Sequence, residues 1–101
     1  KGRATRIAED DMGEVGGARQ LRIGKGSMVE IGADGTMRVA KALLIDAGES
    51  IVLKCGSAAI AMKKDGTISI EGEDITINGS GKITIKASSE ITMKGSKINQ
   101  N

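Results

Sequence analysis

The residues whose types and spacing bear on chemistry are few. Gly79-Ser80-Gly81-Lys82 comes closest to a phosphate-binding loop. Such a loop cradles phosphates with backbone N–H groups. It needs a glycine five residues before its second glycine and a Ser or Thr after its lysine. Thr76 and Ile83 occupy those positions, and a strand pattern rather than a helix follows. The sequence therefore predicts a corner between strands. Asp34-Gly35-Thr36 and Asp65-Gly66-Thr67 repeat one tripeptide. Asp-Gly favours tight turns, whereas a calcium β-roll needs tandem G-G-x-G-x-D nonapeptides, which are absent. Glu9, Asp10 and Asp11 with Glu14, and Glu71, Glu73 and Asp74, supply carboxylates without a His or other base beside them. They read as solvated corners. Cys55 has no His in the chain to activate it. Thr76, Thr84 and Thr92 stand at the centres of three Ile-Thr-Ile/Met triplets. Ice-binding surfaces use paired Thr arrays, but Val52 and Ser69 break this column and each strand offers one Thr. Solvent-facing strand residues account for them. The expectation is no catalytic residue, no metal, no cofactor and no enzyme.

Composition points the same way. The 101 residues carry 15 Lys plus Arg and 13 Asp plus Glu, a net charge of +2. That balance is too even for nucleic acid or an anionic membrane as the main partner. Phe, Trp, Tyr, His and Pro are all absent. No base-stacking platform and no Ser–His–Asp site can be built. A single Cys forms no internal disulfide. Lys1-Gly2-Arg3 lacks the apolar run of a signal peptide, and a first residue other than Met suggests a fragment of a longer chain.

What remains is a repeat. From Thr5 the chain divides into octads: TRIAEDDM, GEVGGARQ, LRIGKGSM and VEIGADGT, then MRVAKA, two residues short. The third position reads Ile7, Val15, Ile23, Ile31, Val39, and the fourth reads Ala8, Gly16, Gly24, Gly32, Ala40. After the slip come the apolar pairs Leu43/Ile45, Ile51/Leu53, Ile60/Met62, Ile68/Ile70, Ile75/Ile77, Ile83/Ile85 and Ile91/Met93, with Ile98 last. Apolar–polar–apolar triplets are half-buried strands. Helix is excluded because i and i+2 do not share a helical face. Gly, Ser, Asp, Asn and Lys between triplets make corners.

The expected inward set is Ile7, Val15, Leu21, Ile23, Val29, Ile31 and Val39 in the regular octads. It continues with Ile51, Leu53, Ile60, Ile68, Ile70, Ile75, Ile77, Ile83, Ile85, Ile91 and Met93. Two inward residues per strand enclose little core in a chain of this length, which favours a core shared among chains. Repeat arithmetic does not count those chains, and a single-chain coil with three octads per turn is geometrically possible.

Octads with Val or Ile third and Gly fourth resemble the V-x-V-G repeat of phage tail needles and of the valine-glycine repeat (VgrG) spike proteins of type VI secretion. The stretch KKDGTISIEGEDITINGSGKITIKASSEITMKGSKINQN looks like the end of a VgrG spike, with GSGKITIKAS and KGSKIN its most specific wording. The resemblance covers residues 5–101, with slips at 37–42, 51–59, 68–74 and 91–97. It implies an all-β fold: an octad-repeat triple-stranded β-helix, or β-prism, formed by an intertwined homotrimer. The whole of 1–101 would be one needle domain. Residues 1–4 would be a flexible start, 5–44 regular octads, and 45–101 less regular octads ending at the tip.

The implied function is mechanical: the envelope-puncturing needle of a contractile injection spike. Ile98, Asn99, Gln100 and Asn101 would be the tip that receives a PAAR-repeat cap. Further partners would be the secretion tube and effectors, reached through the parent protein, and a target membrane touched in passing. No nucleic acid partner is implied, and no effector domain is expected after Asn101. The needle would assemble in the bacterial cytoplasm and then be injected into the target cell. Two rivals stand beside this reading. A single-chain β-solenoid scaffold or polymerising filament would have about six residues per strand, against a spacing near eight here. A lytic or ligand-binding solenoid would need a cleft that this composition does not build.

Overall fold

The computed structural model describes residues 2–101, so Lys1 of the expected flexible start lies outside them. The described residues contain three β-strands and no helix, and the chain is all-β. It divides into two units, Lys1–Lys41 and Ala42–Asn101.

In the first unit the backbone bends at residues 8–9, 16–17, 24–25, 32–33 and 40–41. Each bend opens on the small fourth residue of an octad: Ala8, Gly16, Gly24, Gly32 or Ala40. The second unit's first bend, at 48–49, keeps the same eight-residue step. This corrects the slip expected at 37–42. Gly48 takes the fourth position and Ala47 the third, so the corners keep count where Leu43, Leu44 and Ile45 suggest a shifted frame.

The second unit then reverses direction. Strands β1 (Ser50–Cys55), β2 (Ala58–Lys63) and β3 (Ile68–Glu71) form an antiparallel sheet in the order β1-β2-β3. The expected irregularity at 51–59 is therefore a hairpin. Gly56 at φ +57° and Ser57 form its two-residue loop, and among the described residues none other than glycine has positive φ. Glycine with positive φ at the first loop position, followed by negative φ, is the pattern of a type II′ turn, whose twist matches that of paired strands. The second connection is a three-residue loop. The Gly66 N–H donates to the Lys63 carbonyl at 3.0 Å, and the Lys63 N–H donates to the Thr67 carbonyl at 3.0 Å. Gly66, at φ +96°, closes it as a bulge. Beyond β3 the chain bends at 73–74, 80–81, 88–89 and 96.

Backbone hydrogen bonds among the described residues are confined to 49–71. No described residue is buried, and of the Ile, Leu, Val and Met side chains all but Ile51 are exposed.

Candidate functional site

Alternation and register place the β-sheet's apolar side chains together. Ile51, Met62 and Ile68 form one cross-strand row, and Leu53, Ile60 and Ile70 form the next. Cys55 and Ala58 continue this face at its end. The opposite face carries Val52, Ala61 and Ser69, then Lys54, Ala59 and Glu71. Every expected inward residue of the sheet thus lies on one face. Met62, absent from the inward set, belongs there too, and its i+2 spacing from Ile60 is the signal that finds it. Leu53, Cys55, Ile60, Ile70 and Ile75 border an open concavity of about 460 Å³.

Outside the sheet, exposure within each octad follows the corners. In the first unit the third-position residues sit beside the bend and are the more sheltered: Ile23 is 48% and Val39 45% exposed, against 82% for first-position Val29. The Ile31 side chain covers Gly35 so closely that a Cβ on that glycine would lie 2.8 Å from Ile31 Cδ1. After β3 the relation reverses, and the first apolar residue of each pair lies over the preceding corner. A Cβ on Gly79 would stand 2.7 Å from Ile83 Cγ1, and one on Gly72 would stand 3.6 Å from Ile75 Cγ1. Gly79 is glycine because an isoleucine packs on it, which accounts for GSGK without a phosphate.

The remaining candidates for chemistry fall in separate places. Asp65 Oδ1 accepts the Thr67 N–H at 3.0 Å. That backbone bond, and after it a bond from the Thr67 side chain, hold the Asp65 carboxyl below its usual range. This is an Asx-type turn lock. Asp34-Gly35-Thr36 does not repeat it: the bend there falls earlier, at 32–33. Without paired strands on either side, nothing closes a hairpin at that copy. Cys55 is a free, exposed thiol. Glu9, Asp10, Asp11 and Glu14 are all exposed, as are Glu71, Glu73 and Asp74. Among the described residues no three potential metal ligands cluster. Among the described residues no helix is long and apolar enough to cross a membrane. At the C-terminus Ile98, Asn99, Gln100 and Asn101 are exposed beyond the bend at 96.

Fold and surface together define an all-β repeat chain whose large apolar side chains are nearly all exposed. The chain matches no known protein-family model, and no curated protein matches it in sequence.

Proposed function

We propose that this chain is the needle of a contractile injection spike of the type VI kind, working as an intertwined homotrimer. One observation carries the reading: a repeat with an eight-residue corner step exposes every residue of its apolar stripe but Ile51. Monomeric proteins rarely expose contiguous apolar surface on that scale. Among the described residues the backbone groups outside 49–71 also make no hydrogen bond to one another, and buried strands need such partners. Three chains wound about one axis supply both the apolar contacts and the hydrogen bonds. A single-chain solenoid would bury its stripe within its own coil, so the exposure favours the shared core.

In this reading the needle transmits the force of contraction and its end receives a cap. Ile98 gives an apolar centre repeated about the axis, and Asn99, Gln100 and Asn101 surround it with uncharged polar groups. Unpaired strand ends of this kind suit addition of another β-edge. Light scattering tests the assembly, with a mass three times the 10.4 kDa of the chain as the expected result. A monomer with strong β circular dichroism refutes it. Capture of a PAAR-type cap by the trimer, with and without residues 98–101, tests the tip. Undiminished capture by the truncated trimer moves the cap site elsewhere.

A further inference from the structure

The second position of the octads carries a pattern that neither the fold of one chain nor the proposed tip uses. Arg6, Glu14, Arg22, Glu30 and Arg38 follow one another at steps of eight residues, and their charge alternates throughout. Each immediately precedes a third-position residue of the apolar stripe, so period-two alternation turns it away from the core. All are exposed. Among the described residues none is paired, since the ion pair formed there joins Lys64 to Glu49. The bends at the same eight-residue step make these residues structurally equivalent, one per octad. In sequence the next residue at that step, Asp46, keeps the alternation. The second unit repeats the device at another position: Asp74, Lys82, Glu90 and Lys97 alternate in charge, each directly before an isoleucine.

We propose that the first-unit column is a register device between copies of this chain. The inference rests on the trimeric reading. If three chains start level on three faces and each moves one face per octad, the strands above and below any strand belong to the other two chains. They also lie one octad earlier and one octad later. Arg22 then meets Glu14 of one neighbouring chain and Glu30 of the other, on strands about 4.8 Å away. Opposite charges across adjacent strands attract, and like charges repel. Stacking copies level, octad upon identical octad, sets Arg on Arg and Glu on Glu along the whole column. So does an offset of two octads. The alternation accepts the one-octad stagger and rejects its nearest misalignments. The apolar stripe cannot do this, since its Ile and Val are interchangeable from octad to octad.

The test compares four chains. The uniform column carries Glu14→Arg and Glu30→Arg. The inverted column carries Arg6→Glu, Glu14→Arg, Arg22→Glu, Glu30→Arg, Arg38→Glu and Asp46→Arg, and so keeps the alternation. A control off the column, Glu9→Arg with Asp34→Arg, makes the same change in net charge as the uniform column. Wild type completes the set. Mass in solution and thermal dissociation are read at low salt and in 1 M salt. Wild type, inverted column and control are expected to be trimers that dissociate at similar temperatures. The uniform column is expected to lose the trimer, or to dissociate at clearly lower temperature, with the gap narrowing at 1 M salt, where screening acts within about 3 Å. A uniform column as heat-resistant as the off-column control overturns the proposal. So does an inverted column as weak as the uniform one. A monomeric wild type overturns the needle reading, and the register device with it.

Discussion

Replacing Ile85 with Asp separates a shared core from an exposed surface. Ile85 is 66% exposed in the single chain. Complete burial of an isoleucine is worth about 1.5–3 kcal/mol. In the proposed trimer, closing other chains over the exposed two thirds would contribute about 1–2 kcal/mol per chain, or about 3–6 kcal/mol per trimer. Ile85→Asp forfeits that contribution. It also brings three carboxylates to the axis without partners, at a further cost of several kcal/mol for each ion. Thr84, one residue earlier, would face outward in the proposed strand by period-two alternation, and Thr84→Asp should stay within about 0.5 kcal/mol of wild type. The assay is the fraction of trimer surviving graded heating on a gel, with thermal circular dichroism alongside. Ile85→Asp should abolish heat-resistant trimer, while Thr84→Asp should keep it. Equal losses in the two variants would refute the assignment of inner and outer faces. Equal tolerance would refute the shared core itself.

Three further outcomes follow from local geometry. Gly79→Ala puts a Cβ 2.7 Å from Ile83 Cγ1 and 3.3 Å from the Lys82 carbonyl oxygen. Driving Ile83 off its rotamer should cost about 0.5–1.5 kcal/mol per chain, read as a lower melting temperature. Gly81→Ala, with open space around it, serves as the comparison. Gly66→Ala forces a side chain to φ +96° and should cost about 1–3 kcal/mol, whereas Ser57→Ala in the other loop should be nearly silent in the same melt. Asp65 has its carboxyl pKa lowered by the Thr67 hydrogen bonds. Its contribution to the loop is therefore complete above its ordinary value of 3.8 and disappears as pH falls through the lower folded value. An NMR titration of the Asp65 carboxyl should show a midpoint below 3.8, and Thr67→Pro, which removes the donor N–H, should raise it.

The repeat was legible because its two signals are set by local chemistry. A β-branched third residue wants a strand, and a small fourth residue permits a corner. The corners at 8–9 through 40–41 fall on those small residues. The frame at 37–48 was misread because apolar identity was followed instead of residue size. Leu43, Leu44 and Ile45 offer three choices of inward residue, whereas Ala40 and Gly48 offer one choice of corner. The hairpin was hidden for another reason. Cys55-Gly56-Ser57-Ala58 has Gly first in the loop rather than the stronger Asn-Gly or Asp-Gly signal, and antiparallel pairing is a non-local choice that an octad count does not register. For the site, alternation alone assigned the sheet's inward residues to one face. The close approach of Ile83 to Gly79 depends on the corner's geometry and leaves no trace in residue type beyond the glycine.

The sheet has three strands, and the number matters to the proposed needle. β1 and β3 both run antiparallel to β2, so they run parallel in direction to each other. A chain entering the sheet therefore leaves it in the sense in which it came. A single hairpin would send the following octads backwards, which is incompatible with the proposed needle, whose chains would run one way from base to tip. An odd number of strands is the smallest addition that lets a one-way repeat carry a hydrogen-bonded sheet of its own. The phase of the corners also changes across it. Before the sheet the bend follows the sheltered residue, as at Ile23 and Val39, and after it the bend precedes that residue, as at Ile75 and Ile83. Among the described residues the sheet is the segment that pairs its backbone within a single chain, with the outer edges of β1 and β3 left open. In the proposed trimer it can absorb that change of phase, with other chains pairing its edges and closing over its apolar face.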